Sequence, residues 1–347
     1  MEGINFGMKK LKNNENGKFL SDIIVIIIII AVAFFIYKNF FEQTKTDTHN
    51  VLAKFEAIDS DIPDYKRYYY NQLDDNGKII YHTILNNLDN LKEGTSTIKI
   101  DINEPNLSDS FQNAWDAICL DRPEIFYIDT NKLMLESQSV TSILGKTTYS
   151  YTLKPNSVDS NYLLSTWNSK SAVDSSISQL ETVANKVVTL ANGSRYNQVQ
   201  YIHDYIVENT SYDNSSSNAS NVYGTLVNGK ALCEGYSESF KYLLDKLNIP
   251  NVIVYGKGIK EDSSTEEHSW NYVQMDDGNW YAVDCTWDDP IIVGSGILPL
   301  KYKYKYFLVG SKTFFVSHQE ENYVSSNDSV KTSTYFTYPT LSESNYK

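Results

Sequence analysis

An acid set inside an apolar run restricts this chain more than any other feature. Residues 268–275 read His-Ser-Trp-Asn-Tyr-Val-Gln-Met, and 280–286 read Trp-Tyr-Ala-Val-Asp-Cys-Thr. Both runs are rich in aromatic and β-branched residues, and Asp277-Gly278 lies between them, so they predict a β-hairpin. A carboxylate is costly to bury without a partner, and His268 on the neighbouring strand can partner Asp284. Such a pairing fixes the imidazole tautomer and stabilises its protonated form. Register decides whether it can occur. A two-residue turn at 277–278 pairs residues whose numbers sum to 555, which sends His268 and Asp284 to opposite faces. A three-residue turn, Asp276-Asp277-Gly278 with a left-handed glycine and a bulge, gives 554 and sets Asp284 opposite Trp270, diagonal to His268 on one face. A working His–Asp pair therefore requires the bulged turn. Cys285 then turns away into the core.

A thiol stands upstream of the hairpin. In Val227-Asn228-Gly229-Lys230-Ala231-Leu232-Cys233-Glu234-Gly235-Tyr236, Asn-Gly marks a turn. Apolar residues at 236, 240, 243, 244 and 247 follow at helical spacing, and Asn248 and Pro250 end the helix. Cys233 thus falls at a helix N-terminus. Unpaired N–H groups there favour a thiolate and can receive an oxyanion. Gly235 is read as leaving room for a substrate backbone. Cys233 alone would pass for a small core residue; the His–Asp hairpin turns it into a candidate nucleophile.

The other titratable residues lack such a setting. His203 lies on a helical apolar stripe and reads as a packed residue. His49, His82 and His318 have no complement of Cys or acids close by in sequence. Asp288 and Asp289 read as a turn after the strand rather than a metal site. Three cysteines are too few and too scattered for a disulfide framework or a zinc site. A bridge between Cys119 and Cys285 is the minor alternative to buried thiols.

The rest of the chain predicts helices over 68–91, with a break at Asn76-Gly77, and over 111–120, 171–190 and 196–209. It predicts strands at 125–128, 147–153 and 252–259, and at 301–306, where Lys and Tyr alternate with the Tyr face packed. Near the N-terminus, Ile23 to Tyr37 is an uncharged run of fifteen residues, eight of them Ile. Fifteen residues make a helix of only about 22 Å, short of the ~30 Å hydrocarbon core, so Asp22 and Lys38 would have to snorkel. Lys9, Lys10, Lys12 and Lys18 precede the run and place the N-terminus in the cytoplasm and the body outside. Ala31-Val32-Ala33 resembles a signal-cleavage site, but Phe34-Phe35-Ile36-Tyr37 prolongs the apolar run, which favours an uncleaved anchor. The net charge of −13 argues against nucleic acid as a partner.

At the residues quoted above the chain resembles the transglutaminase-like superfamily. The matching segments are Gly229 to Tyr236, His268 to Asn271, and Trp280 to Pro290, within roughly 175–320. They stand in the order Cys, His, Asp, at separations of 35 and 16 residues. The resemblance implies an α+β chain: a papain-like transglutaminase core, with N-terminal helices packed on an antiparallel sheet, preceded by a small α+β domain and one N-terminal transmembrane helix. The corresponding boundaries are 1–18 cytoplasmic tail, 19–38 anchor, 39–165 stalk and α+β domain, 166–320 catalytic domain and 321–347 C-terminal tail. It further implies Cys233 as nucleophile, His268 as general base and acid, Asp284 as its orienting partner, and Tyr223 as a candidate oxyanion donor. No cofactor follows, because nothing resembles a calcium-binding loop. The expected partner is a protein or cell-wall peptide, and the expected reaction is acyl transfer through a thioester. The competing reading is a non-catalytic binding or scaffolding module that keeps the fold.

Overall fold

The apolar stripe beginning at Tyr236 forms its helix, and that helix organises everything that positions the site. The structure is a computed structural model that describes residues 26–36, 51–55, 63–94, 96–157, 160–289, 300–322 and 336–347. It divides into two units, Met1–Lys54 and Phe55–Lys347. In the first, residues 26–36 are helical with exposed side chains. The remainder of the anchor expected at 19–38, and the tail at 1–18, lie outside the described residues. No helix among the described residues is long and apolar enough to cross a membrane.

The second unit is α+β. Its first helices are α1 (Asp75–Leu85), α2 (Leu88–Glu93) and α3 (Ser108–Asp121). The helix expected over 68–91 is divided differently from its sequence pattern. Residues 64–72 form 3-10 turns, and α1 starts where Asp74 caps the Gly77 N–H at 2.6 Å, so Asn76-Gly77 lies in a first turn rather than at a break. Three antiparallel strands follow, β1 (Ile98–Ile100), β2 (Leu133–Thr141) and β3 (Thr147–Pro155), in the order β1-β3-β2. The strand expected at 125–128 is absent. Pro123 opens a 3-10 turn instead, Phe126 packs on Trp167 and Tyr223, and Ile128 keeps a single bridge to Leu163.

Helices α4 (Lys170–Leu190) and α5 (Arg195–Asn209) begin at serine caps, Ser169 and Ser194. After β4 (Ser211–Tyr212), α6 (Val222–Leu226) and β5 (Lys230–Ala231) comes α7 (Cys233–Lys246). Helices α4, α5 and α6 all pack against α7, and α7 lies against the main sheet. Tyr236, Phe240, Leu243 and Leu244 of α7 are buried, as are Ile253 and Val273 on the sheet face that Asn271 and Ser269 present to α7. Each such side chain contributes about 1.5–3 kcal/mol, which makes this interface the energetic centre of the unit.

The main sheet has the antiparallel order β8-β7-β6-β9, built from β6 (Asn251–Ile259), β7 (Thr265–Gln274), β8 (Trp280–Val283) and β9 (His318–Glu320). Residues 55–165 belong to the same unit as 166–320; for instance, the Tyr69 hydroxyl donates to the Ile253 carbonyl on β6. The strand expected at 301–306 is a short helix, α8 (Leu300–Lys303), followed by turns; α9 (Ser311–Phe314) then leads into β9. Side-chain partners on α5 override the alternating pattern. Lys303 reaches Asp204 and Glu208 at 3.2 and 2.6 Å, and the Tyr304 hydroxyl donates to Asp204 at 2.8 Å. The segment 336–347 is irregular, as expected, but packs on the sheet edge: Leu341 bridges to Trp280, and Phe336 meets the Tyr69 ring.

Candidate active site

The hairpin has the bulged register. Asn271 pairs with Val283, Tyr272 with Ala282, Val273 with Tyr281 and Gln274 with Trp280, and every pair sums to 554. Gly278 takes φ +79°, the left-handed position such a turn needs. Strand β8 ends at Val283, so Asp284 stands just beyond the ladder rather than inside it. Its Oδ1 accepts the N–H groups of Thr286 and Trp287 at 2.9 and 3.0 Å. These bonds hold the side chain within its own turn and aim Oδ2 at the sheet face.

Oδ2 meets His268 Nε2 at 2.8 Å. Cys233 lies near enough to the His268 imidazole to favour its protonated form. Since Nε2 faces the carboxylate, Nδ1 is the ring nitrogen left for the thiol. Cys233 is the first residue of α7, and Leu232 before it provides no side-chain cap, so the helix N-terminus opens beside the sulfur. Asn271 Nδ2 donates to the Ser237 carbonyl at 3.0 Å, and the Ser237 and Ser269 hydroxyls lie 3.1 Å apart. These bonds fasten α7 to β7 one helical turn below Cys233 and beside His268. Trp287 stacks on the His268 ring at 5.0 Å between centroids and 27°.

Burial opposes a charge on His268, but the Asp284 carboxylate, and then Cys233, outweigh it and lift its pKa to about 10. For Asp284, burial acts upward; the attraction and hydrogen bond of His268 and the bond from His318 win, so it sits well below the usual carboxylate range.

His318 was not recognisable as a site residue from its sequence neighbours. Its Nε2 lies 3.1 Å from the same Asp284 Oδ2, and its ring stacks on Phe314 at 3.8 Å. The available signal was Gly256-Lys257-Gly258 in β6. Gly256 pairs with His268 on one side, and Gly258 pairs with His318 on the other. Both glycines belong to the face that carries the two imidazoles, so no β6 side chain separates them from Asp284. The ligating atoms of His268, Asp284 and His318 lie within 4.8 Å of one another. A tetrahedral ion held at about 2.0–2.2 Å by oxygen and nitrogen would set its ligand atoms about 3.3–3.6 Å apart, whereas the observed 2.8 and 3.1 Å are hydrogen-bond lengths.

Tyr223 gives its hydroxyl to Gln179 at 2.8 Å and stacks on Phe126. Gly235 is buried; a Cβ there would lie 2.6 Å from the Ala219 carbonyl oxygen and 2.7 Å from Thr225 Oγ1, so this glycine lets α7 pack closely on its neighbours rather than making room for a substrate. His203 is packed, and it also joins Asp288 and Asp204 at 3.2 and 3.1 Å. Asp288 lies in the expected turn. Cys285 is a buried free thiol whose pKa burial pushes far up. His82 bonds the Tyr70 hydroxyl at 2.8 Å; His49 lies outside the described residues.

A helix-initial thiol, an imidazole and a buried carboxylate, held by helices on an antiparallel sheet, define a cysteine-enzyme-like scaffold. The family model of the transglutaminase-like superfamily matches residues 181–285, and over that segment the chain carries a transglutaminase-like core. Among solved structures, a TGase is similar at 20% identity over 52% of this chain and 53% of its own length, TM-score 0.30. The chain therefore spans about half of that structure. A putative cysteine protease from Cytophaga hutchinsonii is similar at 16% identity over 46% and 68%, TM-score 0.26. The periplasmic domain of TgpA from Pseudomonas aeruginosa, bound to ethylmercury, is similar at 10% identity over 46% and 69%, TM-score 0.25. A comparison with curated proteins gave no match.

Proposed function

We propose that this protein performs cysteine-dependent acyl transfer on protein or cell-wall peptide amides, with Cys233, His268 and Asp284 as its catalytic triad. The observation that carries the reading is the imidazole of His268, braced by Asp284 at 2.8 Å with the helix-initial Cys233 close enough to favour its protonated form. His268 Nδ1 holds the proton given up by the thiol, and the resulting thiolate attacks the amide carbon. The resulting oxyanion faces the first N–H groups of α7. His268 returns its proton to the departing amine as the C–N bond breaks, leaving a thioester. An amine or water then attacks, giving up its proton to His268, and the thiolate leaves.

Tyr212 is a better placed second oxyanion donor than Tyr223. It pairs with Ala231, two residues before Cys233. Its pKa is raised by burial and then by Cys233, and 45% of the residue stays exposed. Its hydroxyl carries no hydrogen bond among the described residues, so it is available to a substrate.

The apolar run at 23–37, basic residues ahead of it and an exposed apolar helix over 26–36 support an anchored protein with its catalytic unit outside the cell. The test uses the full chain in detergent, incubated with cell-surface extract and a labelled primary amine. Amine incorporation or new cleavage products should appear and should vanish in Cys233→Ala. Cys233 that alkylates no faster than an ordinary thiol at neutral pH, together with partner binding unchanged in Cys233→Ala, would favour a non-catalytic module.

A further inference from the structure

We propose that His318 is a positioning residue of this site, giving Asp284 Oδ2 a second hydrogen bond that limits the carboxylate's pull on His268. The proposal rests on the acyl-transfer reading for its functional meaning, though not for its test. Both ring nitrogens reach one oxygen, His268 Nε2 at 2.8 Å and His318 Nε2 at 3.1 Å, while Oδ1 is occupied by two backbone N–H groups. Asp284 and His318 side chains are both fully buried, so water cannot replace either donor. Asp284, held ionised, can only accept, so His318 Nε2 carries the proton that faces it.

The groups facing His318 come from three elements besides its own. Asp284 follows β8, His268 lies on β7, and Tyr306 follows α8 with its ring 5.0 Å away. Burial, and the charge on His268, keep His318 below the usual histidine pKa, although Asp284 pulls the other way. His318 therefore acts as a neutral donor beside a charged one.

The consequence follows from where the charge concentrates. When His268 is protonated, Asp284 is partly neutralised by it. When His268 is neutral, the carboxylate leans harder on its remaining donors. A neutral His318 thus stabilises the second state more than the first and lowers the proton affinity of His268. Without it, His268 holds its proton more tightly and returns it less readily to a leaving amine.

The test is a nuclear magnetic resonance titration of the full chain carrying ¹³C-labelled histidine rings, following His268 in the wild type, His318→Phe and His318→Gln. Phe keeps a ring against Phe314 but removes the donor; Gln can present an N–H close to the position of Nε2. In His318→Phe the His268 midpoint should rise by about half to one pH unit, a roughly three- to tenfold gain in proton affinity. His318→Gln should stay close to the wild type. A midpoint that falls or stays put in His318→Phe, or moves equally in both variants, overturns the proposal and leaves His318 a packing residue. Should His318→Phe not fold, His318→Leu supports the same comparison. Failure of the wild type to turn over any amide would overturn the acyl-transfer reading and leave this titration unaffected.

Discussion

Replacing Asp284 by Asn should switch the site off through a proton in the wrong place. In the wild type Oδ1 accepts two backbone N–H groups, and Oδ2 accepts from two imidazoles. An amide has one acceptor and one donor end. The Thr286 and Trp287 N–H groups cannot change their character, so the amide oxygen must take the Oδ1 position. The NH2 group then faces both histidines. His268 Nε2 has to become an acceptor, its proton moves to Nδ1, and the lone pair that should receive the Cys233 proton is gone. The analogous exchange in a serine protease costs about 10⁴ in kcat for the same reason, and a loss of about 10³–10⁴ is expected here. Binding should hold, since the turn keeps its backbone bonds. Alkylation of Cys233 by iodoacetamide at neutral pH should slow in parallel with turnover, with folding followed by circular dichroism. Turnover and alkylation within tenfold of the wild type, in a folded variant, would refute the tautomer argument.

Two further outcomes test the same network. Tyr212→Phe should lower kcat by about 10- to 100-fold with KM nearly unchanged, at the lower end of the cost of losing an oxyanion donor, whereas Tyr223→Phe should leave kcat alone; steady-state kinetics showing the reverse would restore Tyr223 to that role. The His268–Asp284 pair should also shape stability against pH. His268 rises from 6.5 to about 10, so its contribution is complete below pH 6.5, declines above it and is gone beyond about 10. Asp284 is depressed from 3.8, so its contribution is present above 3.8 and lost as pH falls further. The difference in Tm between wild type and Asp284→Asn, measured by calorimetry, should therefore be largest between about pH 4 and 6.5 and shrink on both sides; a difference that grows above pH 8 would contradict the assignment.

The sequence by itself determined the parts whose cause is local. Asp277-Gly278 and the alternation on either side set the hairpin, and the need to place an acid beside a histidine selected the 554 register that the strands adopt. The apolar stripe from Tyr236 set α7 and put Cys233 at its start. Tertiary structure decided the parts whose cause is distant. Lys301 to Tyr306 alternates like a strand, yet Asp204 and Glu208 on a separate helix draw it into α8 and turns. Gly235 looked like space for a substrate, and the Ala219 carbonyl fills that space. His318 follows Asp284 by 34 residues, and only the sheet order β8-β7-β6-β9, with two glycines in the strand between the imidazoles, brings it to the carboxylate. Periodicity encodes which face a residue takes. The choice of distant strand that lies alongside depends on how buried surfaces and buried charges are satisfied together, and that balance exists only once the chain has folded.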